Sequence, residues 1–120
     1  HCTHTPMLNK IEQGDTAAGK GPSVTYGPAV QNNLLQRIID TADAQKIPLQ
    51  RMAASRFTGT DTDAFAYSNK GVASALISLP LRYMHTTVEM VQRADVENCI
   101  QLILATLQNI KKGEDFKYIK

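Results

Sequence analysis

The sequence predicts an α/β domain of three layers, a mostly parallel sheet with helices on both faces. Three observations lead there. Strand-like and helix-like stretches alternate along the chain, as they do when helices cross over between strands of one sheet. One run, "VASALISLP" (72–80), carries apolar or small residues on both of its faces, as a strand covered on both sides does. The chain has 120 residues, 42% hydrophobic and 20% charged, which is enough for a single modest core.

Residues 1–21 hold no periodic pattern, and "EQGDTAAGKGP" reads as a loop punctuated by Gly14, Gly19, Gly21 and Pro22. Ser23 to Tyr26, "SVTY", is β-branched and aromatic and reads as a short strand that Gly27-Pro28 ends. Asn32 is a good N-cap for a helix starting at Asn33. Leu34, Leu35, Ile38, Ile39 and Ala42 then recur at helical spacing. That helix stops before Pro48, because the residue preceding a proline avoids helical angles. "PLQRMAA" (48–54) reads as the second strand. "SRFTGTDTDAF" (55–65) reads as a polar loop running into a short helix over 62–68. Gly71 opens the third strand, and the loop carrying His85 follows it. Asp95 and Glu97 fall in the first turn of a last helix, where acidic side chains suit the helix dipole. Val96, Cys99, Ile100, Ile103, Leu107 and Ile110 are expected to line its buried face, and Gly113 to stop it.

Charge and composition remove several function classes. The net charge is +2, from 13 basic and 11 acidic side chains. The basic residues are scattered apart from Lys111, Lys112, Lys117 and Lys120, so nucleic acid is not the expected partner. No apolar run approaches the roughly 20 residues that cross a bilayer, and "HCTHTPMLNK" is no signal peptide, so no membrane partner is expected either. Two cysteines, Cys2 and Cys99, do not make a disulfide framework, and reduced thiols fit a cytoplasmic protein. The chain opens on His1 rather than Met, as it would if His1 were foreign or if the sequence began inside a longer protein.

In α/β sheets, sites form just beyond the carboxyl ends of the strands. "TGTDTD" (58–63) follows the second strand and "LRYMHTT" (81–87) the third, so these loops are expected to leave one edge and converge. A neutral imidazole is the commonest protein metal ligand, which makes His85 a candidate ligand or catalytic group against the alternative of an ordinary surface histidine. His85 and Glu89 have the spacing of one helical face, but Thr86, Thr87 and Val88 are β-branched and disfavour a helix there. Asp61 and Asp63 resemble a metal-binding pair and are equally what turns and caps are made of. "GKGP" lacks the phosphate-loop pattern, and neither a nucleophile elbow nor a zinc-finger cysteine pair is present. His1 and His4 would be weak ligands on their own.

Four motifs together resemble a known family. They are Gly59-Thr60-Asp61, then Gly71-Val72 through Ile77-Ser78-Leu79-Pro80, then Arg82-Tyr83-Met84-His85, then Asp95-Val96-Glu97-Asn98. Upstream, "CTHTP" and "GKGPSVTYGPAV" extend the likeness over nearly the whole chain. The sequence resembles the C-terminal part of the dinuclear metallo-aminopeptidases that include glutamyl and deblocking aminopeptidases and tetrahedral, self-compartmentalising enzymes, some of them described as endoglucanases or cellulases. The resemblance implies that residues 1–120 are the C-terminal portion of a zinc-aminopeptidase-like catalytic domain. It implies that His85 is one ligand of two divalent ions, zinc or cobalt, and that Gly59, Thr60, Asp61 and Glu89 support that centre or touch substrate. It implies a peptide substrate, hydrolysis of the N-terminal peptide bond by an activated water, and a homo-oligomer between dimer and dodecamer. The general-base Glu, the other ligands and an inserted β-rich dimerisation domain belong to upstream segments, so no catalytic residue is expected here and the isolated chain is expected to be inactive. The sequence departs from the family in two places: His1 stands where a ligand Asp is expected, and Thr87 where Pro is usual.

Two other readings stand beside this one. A glycoside hydrolase needs two carboxylates facing each other across a sugar bond, a role for which Asp61 and Asp63 are too close together. A non-catalytic structural fragment is the third.

Overall fold

The computed structural model describes residues 9–118. The calls on His1, Cys2 and His4 lie outside them. Nine short elements follow one another: α1 (Lys10–Gln13), β1 (Ser23–Tyr26), α2 (Asn32–Ala44), β2 (Gln50–Ala53), α3 (Thr62–Ala66), β3 (Ile77–Ser78), β4 (Leu81–Arg82), β5 (Met90–Val91) and α4 (Arg93–Asn109). Among the described residues these form a three-stranded sheet in the order β2-β1-β3 and a separate β4-β5 ribbon.

The core is the apolar face of α2 laid on β1 and α4. Leu35, Ile38, Ile39 and Ala42 pack with Val24, Val30, Ile47 and Leu102, as the helical spacing of α2 requires. One detail differs from expectation. Asn32 is not the cap but the first helical residue; Gln31 sits in extended backbone before it and its side-chain oxygen accepts the Leu34 N–H at 2.7 Å. A glutamine reaches the orphan amide that asparagine was expected to satisfy. The C-terminal segment then straps this helix start from outside. The Tyr118 hydroxyl accepts the Asn32 N–H at 2.8 Å, Gln31 bonds the Phe116 carbonyl, and Arg37 pairs with Glu114.

The sheet is mixed rather than mostly parallel. β1 pairs with β2 in parallel, Ser23 opposite Gln50 and Tyr26 opposite Ala53. β3 runs antiparallel to β1, with Val24 opposite Ile77 and Ser23 opposite Ser78. A parallel return needs a crossover long enough to carry the chain back along the sheet. Between β2 and β3 the only helix is the 5-residue α3, and the connection is not used as a crossover. The chain instead turns at the Tyr26 end, where the Gln31 N–H meets the Ser74 carbonyl at 2.8 Å, and runs back the other way. The "VASALISLP" stretch is correspondingly half-buried along 74–79, and only Ile77–Ser78 forms ladder bonds.

The buried face of α4 is also not the expected one. Asp95, Leu102 and Thr106 face inward, while Ile100 is 60% and Leu107 62% exposed. Ile103 and Leu104 share that outer side. Burial of Asp95 sets this rotation. Its carboxylate is 0% exposed and accepts the N–H groups of Gly19 at 2.7 Å and Gly21 at 2.8 Å. A buried carboxylate must be bonded, so the helix turns to the angle at which it is.

Candidate metal-binding loop

The loop carrying His85 is the turn of the β4-β5 ribbon, in which Leu81 pairs with Val91 and Arg82 with Met90. The β-branched residues Thr86, Thr87 and Val88 keep it from coiling into a helix, as the sequence suggests. Its backbone is strained in two places: Tyr83 has φ +54° and His85 φ +64°. Side chains other than glycine avoid this left-handed region, at a cost of about 1–2 kcal/mol per residue. The loop is held by its own polar groups. The Glu89 carboxylate accepts the His85 backbone N–H at 2.5 Å, and the Thr86 hydroxyl donates to the Tyr83 carbonyl at 2.5 Å. Glu89 thus engages the backbone of His85, not the ring nitrogen that a ligand imidazole offers a partner. His85 itself is exposed.

The second predicted loop sits beyond β2. Asp61 occupies the N-cap position of α3 but its side chain makes no capping bond. The work is done two residues on. The Asp63 carboxylate accepts the Thr58 N–H at 3.1 and 3.0 Å, the Thr58 hydroxyl at 3.0 Å and the Gly59 N–H at 3.0 Å. These bonds, the Thr58 backbone N–H first, hold the Asp63 carboxyl below its ordinary value of 3.8. Gly59 takes φ +71°, which only glycine adopts freely. The Thr60 hydroxyl is used inside the turn, 2.7 Å from that of Thr58.

The two loops do not leave one edge of the sheet. β2 ends opposite Tyr26, so residues 54–63 depart at the end where β1 finishes. β3 ends opposite Ser23, so the chain toward His85 departs where β1 begins. The expectation that both leave a common carboxyl edge is overturned by the antiparallel β3. Beside the Thr58 turn stands Gly27: a Cβ there would lie 4.0 Å from the Thr58 methyl.

Among the described residues no three His, Cys, Asp or Glu side chains gather as a metal-ligand group. An exposed imidazole on a stiffened turn fits the chemistry of one ligand, and these residues by themselves are not a complete site. Sequence reasoning also gave no prominence to Asp63 as the organiser of its turn or to Asp95 as a buried clamp. The signal for Asp63 was a carboxylate close behind a glycine turn, and for Asp95 a first helical turn and a family motif; neither tells which donors the carboxylate binds. No described helix is long and apolar enough to cross a membrane.

Known proteins agree with the motifs. A lysyl aminopeptidase of Pyrococcus furiosus is 41% identical over 93 residues, covering 78% of this chain and 27% of its own length. An aminopeptidase from the archaeon Desulfurococcus kamchatkensis superposes with TM-score 0.80 at 25% identity, over 100% of this chain and 36% of its own. A solved structure described as a peptidase/endoglucanase superposes with TM-score 0.64 at 37% identity, over 88% of this chain and 30% of its own. The chain therefore spans between a quarter and somewhat over a third of these proteins. The model of the M42 glutamyl aminopeptidases matches residues 1–102. With that match running from the first residue through most of α4, this chain belongs to the M42 glutamyl aminopeptidase family.

Proposed function

We propose that residues 1–120 are the C-terminal portion of the catalytic domain of a metal-dependent aminopeptidase that removes N-terminal residues from peptides, with His85 as one ligand of its metal centre. The observation that carries this is the left-handed backbone at His85, φ +64°, stabilised by the Glu89 carboxylate. Strain held in place by local bonds is characteristic of functional positions, and here it fixes the exposed imidazole on a rigid turn. Two divalent ions, zinc or cobalt, would supply an activated water for attack on the peptide carbonyl. His85 donates one ring nitrogen to that centre, Glu89 keeps the imidazole-bearing backbone in place, and Gly59, Thr60 and Asp61 meet the substrate. The general-base Glu and the remaining ligands come from segments outside this sequence, so the isolated chain neither hydrolyses peptides nor holds two ions. In the whole protein the mixed sheet belongs to a larger three-layer array, and the subunit is cytoplasmic and homo-oligomeric.

The test is a cobalt(II) titration of a polypeptide that joins this portion to its upstream segments, with and without His85→Ala. The variant is expected to lose one ion or to bind it roughly tenfold or more weakly. Unchanged stoichiometry and affinity would remove His85 from the centre. The glycoside hydrolase reading has one named neighbour in its favour, and the local geometry against it: Asp63 is committed to Thr58 and Gly59 and does not face Asp61 across a substrate. Amino acids released from peptides, rather than reducing ends from glucan, distinguish the two.

A further inference from the structure

The Thr58–Asp61 turn lies on the surface, where a four-residue stretch containing glycine would ordinarily sample several conformations. Here one side chain is bonded to three of its donors. Asp63, on the first turn of α3, reaches back to the N–H and hydroxyl of Thr58 and to the N–H of Gly59. The Thr58 hydroxyl in turn meets that of Thr60, and the Thr60 oxygen accepts the Thr62 N–H at 3.3 Å. The Asp63 N–H closes the loop on the Thr60 carbonyl at 3.1 Å. Both threonine hydroxyls are consumed by this network. The exposed Asp61 carboxylate, which caps nothing, is the acidic group that the turn offers outward.

We propose that Asp63 is a positioning residue: by holding Thr58 and Gly59 it fixes the direction in which Asp61 is presented. That Asp61 meets a peptide substrate rests on the function proposed above; the turn geometry does not. A helix dipole alone does not account for the arrangement, because an acid in the first turn of a helix needs no bonds to residues two and three positions before the cap, where Gly59 and Thr58 stand relative to Asp61. Asp63 makes four contacts to Thr58 and Gly59 with both of its oxygens, and this fixes backbone rather than merely favouring it.

The test is heteronuclear NMR on a ¹⁵N,¹³C-labelled polypeptide that joins residues 1–120 to their upstream segments. In Asp63→Ala the amides of Thr58 and Gly59 are expected to exchange roughly tenfold faster and to shift, and the Asp61 carboxyl carbon to shift with them although it does not touch residue 63. Amide shifts of Val24, Leu35 and Leu102 stay put, and the thermal midpoint moves by no more than about 3 °C. A residue that only added general stability would move the midpoint and spare the Asp61 carbon. Asp61→Asn, the control, leaves the Thr58 and Gly59 amides unchanged. If Asp63→Ala does not fold, Asp63→Asn decides, with a smaller shift of the same three signals expected. Unmoved Thr58 and Gly59 amides, or an unmoved Asp61 carbon, overturn the proposal. None of these signals needs hydrolysis, so an inactive chain bears on the peptidase reading and not on this one.

Discussion

The Asp95 carboxylate accepts the Gly21 backbone N–H at 2.8 Å, joining α4 to the loop before β1 across 74 residues of sequence. A second bond from the Gly19 N–H completes the clamp, and Gln50 holds the same loop from β2 through the Ala17 and Gly21 carbonyls. The loop ahead of β1 is therefore built by side chains distant in sequence, and the rotation of α4 follows from it.

Removing Asp95 tests this directly. Asp95→Ala leaves the buried Gly21 N–H and the part-buried Gly19 N–H without their acceptor and is expected to lower stability by about 3 kcal/mol. Asp95→Asn keeps an acceptor oxygen and should lose less. Urea unfolding measures both. An Asp95→Ala midpoint equal to that of the unsubstituted chain would show that the clamp is not what holds the loop.

Gly19 and Gly21 have nearly equal φ, +85° and +88°, but different surroundings. A Cβ on Gly19 meets nothing within 4 Å, whereas one on Gly21 would lie 2.1 Å from the Pro48 carbonyl oxygen. Gly19→Ala carries only the conformational cost, about 1 kcal/mol. Gly21→Ala must displace backbone as well and is expected to cost roughly 3 kcal/mol or more. Equal losses in thermal melts of the two variants would contradict this packing.

The corrected face of α4 predicts opposite outcomes for two leucines. Leu102 is fully buried, and Leu102→Ala is expected to cost about 3 kcal/mol. Leu107, 62% exposed, is expected to tolerate Leu107→Gln within about 0.5 kcal/mol in this chain. The reverse ranking would restore the stripe that the sequence suggested.

Acid should loosen the Thr58–Asp63 turn in a defined direction. The folded Asp63 carboxyl titrates below 3.8, chiefly because the Thr58 N–H bonds its charged form. Its contribution is therefore full above that ordinary value and is lost as the pH falls below it, through the lower folded value. The Thr58 and Gly59 amide shifts should be flat from neutral pH down to about pH 5 and move only below it. Movement centred above 3.8 would contradict the bonding.

Burial pushes the half-buried Cys99 thiol up from its ordinary range. Less thiolate at pH 8 means slower alkylation than a free cysteine. Iodoacetamide labelling followed by mass spectrometry reads this, and labelling at the free-thiol rate would mean that Cys99 is open to solvent.

Much of this protein is determined locally. Ser23–Tyr26 forms a strand, α2 buries Leu35, Ile38, Ile39 and Ala42, and the β-branched residues after His85 refuse a helix, because each outcome follows from side-chain shape and spacing within a few residues. The family was legible too, since Gly59-Thr60-Asp61, Arg82 to His85 and Asp95 to Asn98 stand in the sequence as short motifs. Strand direction was not legible: β3 pairs antiparallel to β1, so the chain toward His85 leaves the sheet at the opposite end from the loop that carries Asp61. Nor was the inward face of α4, where the repeat of Ile100, Ile103 and Leu107 pointed one way and the buried Asp95 carboxylate turned the helix another. Spacing within a segment ranks its faces by hydrophobicity. Only the assembled fold decides which face is covered, because a buried charge must find its donors wherever the rest of the chain has put them.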